Sequence, residues 1–191
     1  IDADAGLRSL DLMLGVSGTT MYDLSDVFAG NCEPVRAIYS SPIFKNVFVL
    51  PAPLHLEEMC SPDEMRALCR GWASYYDQVI IDCPAGLGSG FETAIAAADR
   101  ALVVSTPDMV CARDAQILGH ILEDRQLRSH LIINRQNRTD SQCFHIKHRI
   151  ILIKIPSLFN VVRFYICRWY ITFIYDKAGR FISFSRCRSS C

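Results

Sequence analysis

The chain has 9 cysteines but no C-x-x-C pair, and no apolar run long enough to cross a bilayer without interruption. Without a C-x-x-C pair we find no spacing that supports a structural zinc site. Cys69, Cys83 and Cys111 instead lie inside apolar or helical patterns, where a free thiol behaves as a small hydrophobe. This usage fits a reducing cytoplasm. No signal-peptide pattern opens the chain. Ile1-Asp2 reads as the last turn of a strand, so a preceding segment is expected. A net charge of +0 conceals a split. Residues 1–137 hold 10 Lys+Arg against 18 Asp+Glu, a net of −8, and residues 138–191 hold 10 against 2, a net of +8. Such a reversal marks two segments of different character.

The 191 residues, 50% of them hydrophobic, suffice for one domain with a sizeable core. Over 1–137, strand-like and helix-like segments alternate. Short helices are expected over 7–14 and 22–29, and a strand over 46–50 that Pro51 and Pro53 stop. Ser61-Pro62-Asp63-Glu64 is a helix start, with Ser61 capping, Pro62 at the first helical position and Glu64 closing a capping box. Met65, Leu68, Cys69, Trp72 and Tyr76 follow at helical spacing. A strand at 78–82, a helix at 90–98, a strand at 101–105, a helix at 108–124 and a strand at 130–134 complete the series. The 108–124 helix is expected to turn Val110, Ile117, Leu118, Ile121 and Leu122 inward. Apolar strands alternating with amphipathic helices imply the α/β class, a mostly parallel sheet with helices on both faces.

Past Arg138 the pattern fails. Residues 150–175 are apolar and aromatic but are broken by Lys154, Pro156, Arg163 and Arg168. As a membrane span the segment would bury two arginines at several kcal/mol each, and it carries no recognisable nucleic-acid module. We read 138–191 as a basic, aromatic tail not selected to complete the fold, such as an out-of-frame end. A membrane-associated tail and a strand-rich end are the alternatives.

The chemistry concentrates at two places. In Val79-Ile80-Ile81-Asp82-Cys83-Pro84-Ala85-Gly86 an apolar strand ends in a carboxylate and turns at once, the way open α/β sheets present a group to a ligand. Asp82 could hold a water of a nucleotide-bound magnesium, which takes few protein ligands, or merely cap the turn. The glycines through Gly90 favour the first reading, because they permit close approach and movement. The second place is Asp2-Ala3-Asp4, ahead of Gly6-Leu7-Arg8-Ser9-Leu10-Asp11-Leu12. A lysine-bearing phosphate loop is not found in the sequence. Gly15-Val16-Ser17-Gly18-Thr19-Thr20 has glycines but no lysine, and it follows a helix instead of a strand.

Five strings carry a resemblance: Asp2 to Leu12 (D-x-D-x-G-L-R-x-L-D-L), Asp82 to Phe91 (D-x-P-A-G then G-F), Ala98 to Asp108, Arg113-Asp114-Ala115 and Ile133-Asn134-Arg135. In this order over 1–135 they resemble the MinD/ParA class of deviant Walker P-loop ATPases, nearest its septum-site branch. The resemblance implies ATP and Mg2+ as ligands. It makes Asp4 the group that orients the attacking water, with Asp2 as its partner, and Asp82 the holder of magnesium through water. Gly86 would lie near the γ-phosphate, Asn134 would read adenine and Arg135 would flank the base. Arg113 and Asp114 would face regulatory partners, or form an exposed charge pair. It also implies an ATP-bound homodimer, a MinC-like inhibitor, a MinE-like regulator and peripheral attachment to the inner membrane from the cytoplasm.

The class pattern K-G-G-x-G-K-T-(T/S), with its Walker A lysine, is missing, so 1–137 reads as a partial ATPase domain and no hydrolysis is expected of this chain. Flagellar-number and ParA-like partitioning ATPases share the switch motifs. The acidic 1–137 segment disfavours nonspecific DNA binding of the ParA kind, and no specific nucleic acid is expected. A non-enzymatic interaction protein with a membrane tail is the rival from another class.

Overall fold

The computed structural model describes residues 1–55 and 60–133, together with the backbone of a strand at 170–176. In chain order the elements are α1 (Ser9–Met13), α2 (Leu24–Phe28), a 3-10 turn (Pro34–Ala37), β1 (Tyr39–Ser40), β2 (Phe48–Val49), α3 (Pro62–Trp72), β3 (Gln78–Cys83), α4 (Ser89–Ala97), β4 (Arg100–Ser105), α5 (Met109–Asp124), β5 (Arg128–Ile133) and β6 (Tyr170–Asp176). The α/β class expected from the apolar periodicity is the class observed.

The main sheet has the order β3-β6-β4-β5. β4 and β5 pair in parallel, from Arg100 beside Arg128 to Ser105 beside Ile133. β6 is antiparallel to both its neighbours, so β3 and β4 run parallel to each other across it. On the free edge of β3, Asp2 forms a parallel bridge with Asp82. This bridge consists of Asp82 N–H donating to the Ile1 carbonyl and Ala3 N–H donating to the Asp82 carbonyl, both at 2.9 Å. A small antiparallel ladder joins β1 to β2, with Tyr39 beside Val49.

Both helical crossovers, β3-α4-β4 and β4-α5-β5, advance the same way across the sheet. Right-handed connections therefore place α4 and α5 on one face, where α3 packs against α4. The core lies in that layer. Val79, Ile81 and Cys83 of β3, Ala101 and Val103 of β4, and Leu131 and Ile133 of β5 join Met65, Leu68, Phe91, Ala94, Leu118 and Leu122 in one cluster. The alternate strand positions are less covered, with Ile80 45% exposed and Leu102, Val104 and Ile132 half-buried.

The start of α3 follows from its sequence. Glu64 N–H donates to Ser61 Oγ at 3.3 Å, and Ser61 N–H donates back to Glu64 Oε2 at 2.7 Å. Met65, Leu68 and Cys69 form its buried stripe. Tyr76 lies past the helix end and packs its ring edge-on against Trp72 and Phe48. Asp23 and Asp26 make a second capping box at α2, built from two aspartates in place of the usual Ser/Thr and Glu/Gln. In α5 the inner face differs from the expected one. Ala115, Leu118 and Leu122 are buried, whereas Val110 is 70% and Ile117 45% exposed. The i, i+3, i+7 stripe from Ala115 sets the contact face, and a small residue there lets the helix approach β4 and β5 closely. At 3.6 residues per turn, Val110 and Ile117 fall about a third of a turn or more from the centre of that stripe, and so face outward.

From beyond the change of composition at residue 137, β6 enters the sheet along the whole length of β3, with Cys83 beside Ile171 and Gln78 beside Asp176. The rest of the basic tail lies outside the described residues. Among the described residues, no helix is long and apolar enough to cross a membrane.

Ser61→Ala removes one half of the α3 capping box. We expect a loss of about 1 kcal/mol, read as a lower urea midpoint with an unchanged slope. An unchanged midpoint would show that the box adds nothing to the fold.

Candidate functional site

Apolar burial drives β3 into the core, and its alternation leaves Asp82 at the carboxyl edge between buried Ile81 and Cys83. The parallel bridge then lays Asp2 directly beside it. Asp2 is fully buried. Its Oδ1 accepts from Asp4 N–H at 2.9 Å and its Oδ2 from Leu10 N–H at 3.3 Å. Both carboxylate oxygens are thus engaged in bending the chain from the strand into α1. The bend places Asp4, half-buried, close enough for its charge to act on Asp82.

Three carboxylates in one small volume have a price in solvation. Burial raises the pKa of Asp82 to about 7, and the nearby charges of Asp2 and Asp4 push the same way, against the α-amino group of Ile1. Burial also raises Asp2, although the two N–H donors counteract it. The chemistry follows from this imbalance. Two N–H dipoles compensate Asp2, whereas burial and like charge act on Asp82, so a cation at the edge would restore its charged form. Among the described residues no three His, Cys, Asp or Glu side chains could hold a metal by themselves. An ion that keeps most of its waters would need only so sparse a set of carboxylates.

Two glycines shape the rim. Gly86, after the Asp82 turn, has φ +96, a left-handed conformation that favours glycine. Gly90, in the first turn of α4, brings the helix so close that a Cβ there would meet Pro84 Cγ at 2.6 Å and lie 3.5 Å from the Ala3 carbonyl oxygen. Gly90 thus locks the Asp82 turn, α4 and the Asp2–Asp4 bend together. Sequence reading noted it only as one permissive glycine among several.

Arg8 is a second residue whose part was missed. It adopts φ 45 just before α1 and donates through its terminal nitrogen to Thr20 Oγ1 at 2.8 Å. It also lies 3.5 Å from Asp11 and 3.6 Å from Asp23. Arg8 cross-ties the loops behind the acidic edge. Thr20, which the sequence placed in a glycine-bearing string unlike a phosphate loop, is engaged in this tie.

The structure thus gathers Asp2, Asp4 and Asp82, with Gly86 on the following turn. Arg113 is exposed and Asp114 half-buried one turn into α5, which starts beyond the carboxyl end of β4. That helix is capped by Asp108, whose Oδ1 accepts from Cys111 N–H at 2.8 Å. Hydrogen bonds from Thr106 and Cys111 hold the Asp108 pKa down at about 2. Asn134 and Arg135 lie outside the described residues. A separate cavity of about 610 Å³, lined by Arg66, Glu92, Asp99 and Arg125 among others, opens at the amino ends of β4 and β5, away from the acidic edge.

An α/β core with one carboxylate at the end of β3 and another on the segment bridged parallel to it fits the P-loop NTPase-like class of nucleotide-binding folds. No family model matches the chain. Among curated proteins it is similar to the septum site-determining protein MinD of Thermotoga maritima, 38% identical over 139 residues that cover 71% of this chain and 51% of the relative. MinD of Bacillus subtilis is 33% identical over 139 residues, 71% of this chain and 52% of the relative. Among solved structures, MinD of Pyrococcus horikoshii complexed with Mg-ADP superposes with a TM-score of 0.63 at 31% identity, covering 72% of this chain and 57% of that one. The MinC:MinD complex of Aquifex aeolicus gives 0.60 at 31% identity, covering 71% and 55%. Over the matched residues the chain is MinD-like in sequence and in fold. The chain spans about half the length of the curated relatives it matches.

The raised Asp82 pKa fixes a sign. A carboxyl whose folded pKa lies above its unfolded value binds more protons when folded, so stability falls as pH rises from about 4 to about 7 and then levels. We expect urea stability of the wild type to decline across that window, by an amount on the order of a few kcal/mol. Asp82→Asn should remove much of the decline and be the more stable form at pH 8. The difference between the two curves isolates Asp82 from Asp2 and from the α-amino group. Parallel curves would refute the buried, charge-crowded carboxyl.

Proposed function

We propose that this chain carries the magnesium-and-switch half of a MinD-like ATP-binding site of the division-site selection system. The observation that carries the reading is the gathering of Asp2, Asp4 and Asp82 at one sheet edge, where burial and like charge raise the Asp82 pKa to about 7. The likeness to a MinD solved with Mg-ADP supports it. When bound, magnesium would neutralise charge on the phosphates and offer ordered water.

In that setting Asp82 would hold the metal through water, and Asp4 would orient the water that attacks the terminal phosphate. Asp2 positions Asp4, because its own oxygens are taken by backbone N–H groups. Gly86 lets the turn move close to the γ-phosphate. Asn134 and Arg135 are proposed for the base on motif grounds alone. Phosphoryl transfer rests on electrostatic positioning by a phosphate loop and its lysine. The sequence offers no such lysine-bearing string, so no turnover is expected of these residues by themselves.

Manganese serves as a paramagnetic stand-in for magnesium. With Mn-ADP added, we expect broadened amide resonances at residues 82–88 in the wild type and not in Asp82→Asn. A phosphate-release assay with Mg-ATP should stay at the buffer rate. Turnover would overturn the account of the missing loop, and the absence of broadening would overturn the site.

A second reading, docking without catalysis, is favoured by α5. Its first turn exposes Met109 (74%) and Val110 (70%) beside Arg113. In the intact protein this face would receive a MinC-like inhibitor or a MinE-like regulator, with homodimerisation and attachment to the inner membrane as further proposals from the family. Arg113→Glu should weaken capture of a MinC protein several-fold while leaving the melting temperature unchanged. Equal capture would remove α5 from the interface.

A further inference from the structure

We propose that Gly90 is a positioning residue for Asp82, acting through the ring of Pro84. This rests on the reading of Asp82 as the group that holds the metal, and adds what sets its place against Asp2 and Asp4. A Cβ on residue 90 would meet Pro84 Cγ at 2.6 Å and Cδ at 3.2 Å, with the Ala3 carbonyl oxygen at 3.5 Å. The first distance is closer than unbonded carbons tolerate, whereas the last is ordinary contact. A flexible side chain would swing aside, but the proline ring is closed on its own backbone. Either α4 or the turn after Asp82 must therefore yield to a side chain here.

The helix is the fixed partner. Phe91, Ala94, Ile95 and Ala97 bury its inner face. Thr93 Oγ1 donates to the Cys60 carbonyl at 3.2 Å, just ahead of α3. Glu92 accepts from Arg125, at the end of α5, through hydrogen bonds of 2.9 and 3.0 Å. The Ala96 carbonyl accepts from Arg66 Nε of α3 at 3.0 Å. The turn has no such anchoring, for residues 85–88 are exposed and Gly86 is left-handed. A side chain at position 90 would thus push Pro84 away from α4, and Asp82 stands two residues before it. The push reaches both halves of the bridge, because Ala3 N–H donates to the Asp82 carbonyl and Asp82 N–H to the Ile1 carbonyl. The missing side chain at Gly90 is what lets the two acidic segments close on each other against a fixed helix.

Gly90→Ala, Pro84→Ala and the double variant, made in the full chain, test this by urea unfolding, amide exchange and Mn-ADP broadening. Gly88→Ala is the control, since a Cβ there has nothing within 4 Å. Helix propensity alone makes Gly90→Ala stabilising, so a lowered urea midpoint has the opposite sign and reports the clash. We expect that lowering, with the Ala3 and Asp82 amides exchanging at least about tenfold faster and those of Val103 and Leu131 unchanged. Broadening of residues 82–88 should need several-fold more Mn-ADP. Added to Pro84→Ala, the same substitution should do none of this, because the ring carbons are gone and the Ala3 oxygen is in ordinary contact. Gly88→Ala should leave the Ala3 and Asp82 amides as they are. No response of those two amides to Gly90→Ala, or a loss that persists in the Pro84→Ala background, overturns the proposal. If the amides respond and recover as expected but Mn-ADP broadens nothing in the wild type, the metal reading of Asp82 fails while the part played by Gly90 stands. Should Gly90→Ala alone not fold, a folded double variant supports the proposal and an unfolded one overturns it.

Discussion

The structure turns on the parallel bridge between Asp2 and Asp82. Two backbone hydrogen bonds join the first residues of the chain to the end of β3, and in doing so press two carboxyl groups into one poorly solvated volume. Burying like charges opposes folding unless something compensates them. Asp2 is compensated from within, by the N–H groups of Asp4 and Leu10. What bears on Asp82 is burial and repulsion, relieved in part by the Ile1 α-amino group. An arrangement that leaves one carboxyl strongly perturbed in a cleft edge is a common mark of a ligand site. A MinD that resembles this chain in fold was solved with Mg-ADP.

Around that bridge the remaining features have supporting parts. Arg8 ties α1 and the approach to α2 behind the acidic edge. Gly90 permits the contact of α4 with the Asp82 turn and the Ala3 backbone. The one-sided layer of α3, α4 and α5 supplies the apolar burial that fixes β3. The alternate strand positions, from Ile80 to Ile132, are less well covered. The core side thus holds the carboxyl edge in place while β6 completes the ladder between its two principal strands.

Much of this was legible in the sequence. The capping box at Ser61 and Glu64, the alternating strands β3, β4 and β5, and the paired acidic strings were readable because each depends on neighbours in sequence. Other features depend on contacts far apart in the chain and left no local signal. Arg8 looked like one letter of a motif, although its partners Thr20 and Asp23 explain its left-handed backbone. Gly90 looked merely permissive until Pro84 and Ala3 came within reach. Val110 and Ile117 fitted a helical stripe, but the buried stripe runs through Ala115, Leu118 and Leu122, which leaves both outside it. Residues 170–176 are rich in β-branched and aromatic side chains, as strands are, yet nothing local marks them as a strand between β3 and β4. The positions of Asn134 and Arg135 fall outside the described residues.

The most direct measurement is the titration of the Asp82 side-chain carboxyl carbon by NMR, without and with magnesium nucleotide. The account requires a midpoint near 7 in the free protein, falling toward the ordinary carboxylate range when the cation and its phosphates are present. A midpoint near 4 in the free protein, indifferent to magnesium, would contradict it.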